Sequence, residues 1–152
     1  MDHRIRNAVE EDLDAIEELE KVCFSVPWTR EQLRSALPDA NHELLVAEED
    51  GKVLGYIGMM TVLDEGYISN VAVAPESRRR GIGRALVRSM RLQAAERGLL
   101  FITLEVREHN EGAVALYAGE GFRTVGRRRG YYERPKEDAL LMTYFFNEEK
   151  ER

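Results

Sequence analysis

One stretch, Val71-Ala72-Val73-Ala74-Pro75-Glu76-Ser77-Arg78-Arg79-Arg80-Gly81-Ile82-Gly83-Arg84-Ala85-Leu86, constrains the fold more than any other. It reads as a buried strand, a basic glycine-containing turn, and then a helix. A turn of that kind delivers the chain to a helix N-terminus, where the first backbone N–H groups have no intrahelical partner and the helix dipole favours an anion. Gly81 and Gly83 remove side chains that would hold a phosphate away from the backbone. The arginines can neutralise phosphate oxygens through charge-assisted hydrogen bonds. The stretch predicts a strand–loop–helix that holds a phosphorylated cofactor.

The flanking sequence sets this unit in an α/β order. Arg4 to Val9 predicts a first strand, and Asp12 to Phe24 a helix with Leu13, Ile16, Leu19 and Cys23 at helical spacing. Thr29-Arg30-Glu31-Gln32 carries a capping box for a second, short helix. Leu44 to Ala47 and Val53 to Val62 are strands about an Asp50-Gly51 hairpin turn. Asp64-Glu65-Gly66 reads as a turn and Tyr67 to Val73 as the next strand. The helix after the glycine loop ends before Gly98. Leu100 to Val106 is a nearly continuous apolar run, as in a central buried strand. Asn110 to Glu120 is a helix closed by Gly121, and Phe122 to Gly126 and Ala139 to Phe146 are final strands. The order is β-α-α-β-β-β-α-β-α-β-β, in one domain with its core in residues 4–146 and a frayed tail from Asn147 to Arg152.

Bulk properties remove several function classes. The 152 residues suit one hydrophobic core, and no apolar run approaches the ~20 residues needed to span a bilayer. The start, Met1-Asp2-His3-Arg4, has no signal-peptide core, and the single cysteine, Cys23, permits no internal disulfide. These features predict a cytoplasmic protein. The net charge of -6 disfavours general nucleic-acid binding, despite Arg127-Arg128-Arg129, and suits a basic protein or peptide partner. His3, His42 and His109 lack metal-ligand spacing, so no metal is expected.

Three phosphate-binding signatures compete for the loop. A nucleotide P-loop needs Lys and Ser/Thr after its glycine, but Gly83 is followed by Arg84-Ala85. A dinucleotide fingerprint needs a third glycine, which is missing. Arg78-Arg79-Arg80-Gly81-Ile82-Gly83 resembles the pyrophosphate loop of the GNAT acetyltransferases. The resemblance continues through Leu104-Glu105-Val106-Arg107-Glu108-His109-Asn110, Ala113-Val114-Ala115-Leu116-Tyr117 and Gly121-Phe122. Cys23-Phe24-Ser25-Val26-Pro27-Trp28-Thr29, Ile68-Ser69-Asn70-Val71-Ala72-Val73, and Tyr131-Tyr132-Glu133 before Glu137-Asp138-Ala139-Leu140-Leu141-Met142 narrow it to the RimI-like group. It covers residues 4–146.

That resemblance implies a GNAT fold, a mixed sheet of six to seven strands with about four helices, splayed between the fourth and fifth strands. It implies an acetyl-CoA-dependent N-acetyltransferase that modifies a protein N-terminus, in this group the N-terminal alanine of a small-subunit ribosomal protein. A small-amine or lysine acetyltransferase and a non-catalytic CoA-binding module remain as alternatives, and the chain is expected to be a monomer or weak dimer. The backbone of Val71, Ala72 and Val73 would bind the pantetheine arm. Arg78, Arg79, Arg80, Gly81, Ile82, Gly83 and Arg84 would hold the pyrophosphate, with at most two arginine side chains on phosphate. Asn110 would cap its helix and touch the cofactor.

Acetyl transfer to an amine needs a neutral amine and a protonated leaving thiolate. Glu105, half-buried between Leu104 and Val106, is the expected base, its carboxyl raised by burial. The plain alternative is an ion pair with Arg107 or another arginine. Tyr117 is the expected acid, and a core tyrosine is its alternative reading. Phe24, Pro27, Trp28, Tyr131 and Tyr132 would wall the acceptor channel, although Phe24 and Trp28 could equally pack beneath the helices. No base is evident to activate Cys23, so direct transfer in a ternary complex is expected.

Overall fold

The structure is a computed structural model and describes residues 3–133 and 135–146. The predicted tail after residue 146 lies outside the described residues. Seven strands and four α-helices follow the predicted order: β1 (Arg4–Asn7), α1 (Leu13–Cys23), α2 (Arg30–Ala36), β2 (His42–Glu49), β3 (Lys52–Val62), β4 (Glu65–Val73), α3 (Ile82–Glu96), β5 (Phe101–Arg107), α4 (Glu111–Gly119), β6 (Arg123–Glu133) and β7 (Lys136–Phe145). They form one sheet in the order β1-β2-β3-β4-β5-β7-β6. Every neighbouring pair is antiparallel except β4 with β5, which α3 connects as a parallel pair.

Strand alternation divides the apolar residues between the two faces of the sheet. Leu44, Val46, Tyr56 and Ala72 pack under α1 and α2 with Leu13, Ile16, Leu19 and Leu33. Leu45, Ile57, Met59, Ile102, Leu104 and Val106 pack under α3 with Ile82, Leu86, Val87 and Met90, and α4 adds Tyr117 to that core. Capping follows the sequence at α2, where the Gln32 amide donates to Thr29 Oγ1 at 3.2 Å and the Thr29 amide to Gln32 Oε1 at 2.8 Å.

The sheet opens at its centre. β4 and β5 pair only through Glu65↔Phe101, Gly66↔Ile102 and Tyr67↔Thr103. Just beyond, the β3–β4 register passes from Met59↔Ile68 to Gly58↔Asn70, which leaves Ser69 as a bulged residue. From there β4 stays with β3 while β5 follows β7, and the expected splay between the fourth and fifth strands is present.

Two local expectations change. The β3–β4 turn falls on Leu63 and Asp64, with Leu63 at φ 55°, not on Asp64-Glu65-Gly66. Gly66 is inside β4, where a Cβ would meet Ile102 Cγ2 at 2.8 Å, so its role is close packing at the seam with β5. β6 runs on to Glu133 rather than stopping at Gly126, and two register shifts against β7 let it extend past glycine and arginine residues.

Candidate active site

The loop expected to hold an anion leads into α3 as the sequence predicts, with one division of labour between its glycines. Gly81 caps α3 at φ 79°, and open space surrounds the position of a Cβ there. Its need is conformational. Gly83 is buried in the first turn of α3, and a Cβ would stand 3.1 Å from Leu116 Cδ1 of α4. Its absence of side chain serves helix packing as well as any approach of a phosphate. No side chain caps the first turn of α3, so the amides of Ile82, Gly83 and Arg84 are left for a ligand or solvent.

The arginines differ. Both carboxylate oxygens of Glu49 accept from Arg80 Nη2 at 2.8 Å, which ties that side chain to β2. Arg78 Nε donates to the Val73 carbonyl at 3.2 Å, and its Nη2 lies 3.5 Å from Cys23 Sγ. Arg79 has a left-handed backbone at φ 66°. Arg84 is half exposed, with Nη1 3.9 Å from Glu120.

At the splay, the Ala74 amide donates to Leu54 on β3 at 2.8 Å. Strand alternation turns the Ala72 amide the same way, and turns those of Val71 and Val73 into the opening toward β5. The Val73 carbonyl, reached by Arg78, confirms which edge faces away from β3. Of the three amides expected to bind a cofactor arm, the geometry leaves Val71 and Val73 available and engages Ala72 with its neighbour strand.

Glu105 alternates on β5 with Leu104 and Val106, which belong to the α3/α4 core. Its side chain therefore emerges on the α1/α2 face. It is 27% exposed and pairs with Arg128 Nε of β6 at 2.9 Å. Arg107 instead joins Glu137 at 3.2 Å and the Pro135 carbonyl at 2.8 Å. Tyr117 stands on the opposite face, buried beside Phe122 with ring centroids 5.9 Å apart. Burial pushes its phenol well above the ordinary value, and Tyr132 adds to the shift. Tyr132 lies within electrostatic reach of both Glu105 and Tyr117, and burial raises it to about 12. Asn110 caps α4, its Oδ1 accepting from the Ala113 amide at 3.2 Å.

The expected acceptor wall comes from two regions. Phe24 and Trp28 are half-buried against the α1/α2 core, while Pro27 is exposed. Tyr131 and Tyr132 meet edge to face at 5.0 Å on β6, with the Arg107 guanidinium 4.3 Å from the Tyr132 ring. Arg127 is bound to Glu108 and Asp138.

Comparison with known proteins matches residues 13–122 to the model of the acetyltransferase (GNAT) family. The chain belongs to the GNAT family. The [ribosomal protein bS18]-alanine N-acetyltransferase of Escherichia coli K12 is 34% identical over 135 residues, 86% of this chain and 89% of that protein. A Bacillus subtilis (strain 168) protein provisionally given the same name is 37% identical over 145 residues, 95% of this chain and 96% of its own length. The crystal structure of the E. coli ribosomal-protein-S18-alanine N-acetyltransferase superposes with a TM-score of 0.87 at 31% identity, covering 95% of this chain and 94% of that one. Arabidopsis thaliana NAA60, at 23% identity with a TM-score of 0.87, covers 96% of this chain and 99% of its own and shares the fold.

GNAT acetyltransferases use acetyl-CoA, and this chain is an acetyl-CoA-dependent N-acetyltransferase. Its residues fit that molecule: an uncapped α3 N-terminus suits a pyrophosphate, and the unpaired edge of β4 offers amides to an extended arm. Among the described residues no group of three His, Cys, Asp or Glu side chains could hold a metal, and no helix is long and apolar enough to cross a membrane.

Two pairings escape the sequence. Arg128, the partner of Glu105, sits in an arginine run with no marker to single it out. Glu20 is fully buried on α1, where Trp28, Tyr56 and Asn70 donate to it. Only its position on the apolar side of that helix, beside Ile16 and Leu19, hinted at burial.

Proposed function

We propose that this GNAT enzyme acetylates the α-amino group of an N-terminal alanine, with a small-subunit ribosomal protein such as bS18 as its substrate, in the cytoplasm. Two lines support the reading. The relatives carrying that activity in their names align over most of both chains. The observation that carries the mechanism is the placement of Glu105 and Tyr117 on opposite faces of the β4–β5 opening. A base on the α1/α2 face and an acid on the α3/α4 face suit an amine and a thioester that meet through the sheet.

Acetyl-CoA supplies the activated acyl group. The amides of Ile82, Gly83 and Arg84 hold its pyrophosphate, with Arg79 and Arg84 the side chains best free to assist. The amides of Val71 and Val73 hold the arm in the splay and polarise the thioester oxygen. A free α-amino group has a pKa of ~7.7–8.0, so part of it is charged at neutral pH. Glu105, directly or through one water, takes a proton from it. Arg128 keeps that carboxylate oriented. The neutral amine attacks the thioester carbon and gives up its second proton to Glu105, which has passed the first to solvent, while the C–S bond breaks and Tyr117 gives its phenolic proton to the departing thiolate and regains one from solvent. A buried phenol is a weak acid, but a thiolate leaving into the same dry site is a correspondingly strong base. Asn110 fixes the start of α4, which carries Tyr117. Tyr131 and Tyr132 on one side, and Phe24, Pro27 and Trp28 on the other, confine the first residues of the acceptor.

The test is transfer from acetyl-CoA to peptides that differ in their first residues, read by mass. Acetylation of the α-amino group of an alanine-starting peptide is expected. Transfer only to lysine side chains or to polyamines overturns the substrate, and no transfer to any amine makes the chain a CoA-binding module.

A further inference from the structure

Glu20 is the one fully buried carboxylate of α1, with 0% of its surface exposed, and the mechanism above does not use it. Three donors converge on it. The Trp28 backbone amide reaches Oε1 at 2.7 Å, while the Tyr56 hydroxyl and the Asn70 side-chain amide both donate to Oε2. Among the described residues no cation pairs with it. A buried, unpaired carboxylate is costly, and an apolar side chain of its size would serve a core better. What the carboxylate gains is in the identity of its donors. Trp28 belongs to the connection between α1 and α2. Asn70 follows the bulged Ser69 and directly precedes the Val71 amide. Tyr56 lies opposite Ala72 in the β3–β4 ladder. One side chain thus ties the aromatic connection to the strand at the point where the sheet opens.

We propose that Glu20 is a positioning residue for the acceptor, fixing Trp28 at a set height above the β4 bulge and so setting the width of the acceptor channel. The inference rests on the reading of Trp28 as part of that channel. Acting through backbone and sheet, Glu20 touches neither substrate. Its loss loosens the peptide side of the site, whereas none of the three donors to Glu20 comes from the loop that holds the pyrophosphate.

The test is steady-state kinetics of Glu20→Gln, which keeps the shape while removing the charge and turning one acceptor into a donor. The KM for an alanine-starting peptide is expected to rise by about tenfold, the order of one charged hydrogen bond. The KM for acetyl-CoA is expected to stay within about twofold of wild type. Adding Asn70→Asp restores an acceptor opposite the new amide and is expected to return the peptide KM most of the way. A peptide KM unchanged in Glu20→Gln overturns the proposal. So does a parallel rise in both KM values that the second substitution fails to reverse, since that is the mark of general loosening. If Glu20→Gln does not fold, Tyr56→Phe removes a single donor from the network. A peptide KM raised about threefold then supports the proposal, and an unchanged one overturns it. Failure of the substrate reading is separate: if the wild-type enzyme acetylates some other amine, the same comparison is made with that amine, and an unchanged KM still defeats the role of Glu20.

Discussion

In the proposed mechanism Glu105 and Tyr117 serve different proton transfers in two environments, and their variants should separate. Glu105→Gln is expected to lower kcat/KM for the peptide by about 10²–10⁴, the usual contribution of a general base, while acetyl-CoA binding measured by calorimetry is retained. Tyr117→Phe keeps the ring against Phe122 and is expected to lower kcat with little change in melting temperature. The pH profile follows from the same residues. The rate should climb as the acceptor amine loses its proton, up to about pH 8. Tyr117 must be protonated to act, and its raised phenol stays so beyond pH 10. The plateau should therefore extend to at least that pH, and an alkaline fall centred near 8 or 9 would remove Tyr117 as the acid. The placement of both residues was legible because short motifs frame them, Leu104-Glu105-Val106 in a strand and Tyr117 on the helix opened by Asn110. Their surroundings were not. An ion pair of Glu105 with Arg107 or another arginine was the alternative reading, and the arginine that meets it is Arg128 of β6, a pairing that exists only after β5 and β6 have both joined β7.

At the level of elements, the strand–loop–helix at the centre of the chain was readable in full, since the loop's glycines, the apolar strand and the helix face are all local signals. The splay was expected from family resemblance, and two non-local features border it. One is the bulge at Ser69. The other is Gly66, which lets β4 approach Ile102, Leu99 and Met59 so closely that a Cβ would stand within 3.0 Å of all three. Gly66→Ala is expected to overpack the seam and cost roughly 1–3 kcal/mol. Thermal denaturation should show a drop on the order of 2–4 °C for each kcal/mol in a chain of this size. Thr29→Ala, which removes the α2 cap, should cost about 1 kcal/mol and leave the seam untouched. The extension of β6 through Tyr131 and Tyr132 was hidden in sequence because glycine and three successive arginines resemble a loop, and only pairing with β7 makes them strand.

For the molecule as a whole, ionic links that join distant segments set the response to acid. Arg6 holds the Asp12 carboxyl below the ordinary carboxylate range, and Arg88, with Arg91, does the same for Glu120. A depressed carboxyl stabilises the fold above its unfolded pKa and loses that contribution as pH falls through the folded value. The urea midpoint is expected to hold from pH 8 to 5 and to fall below about pH 4, and Glu120→Gln should flatten that fall. Acetyl-CoA at about a hundred times its Kd should add ~2.7 kcal/mol and raise Tm by roughly 5–10 °C. The three-pair seam between β4 and β5 has a consequence for hydrogen exchange. Central strands are ordinarily the slowest to exchange. Here the Val71 and Val73 amides, in the middle strand of seven, should exchange fast and the Ala72 amide between them slowly. Acetyl-CoA should close that gap by slowing the two outer amides alone, so the strand would report its bound arm residue by residue.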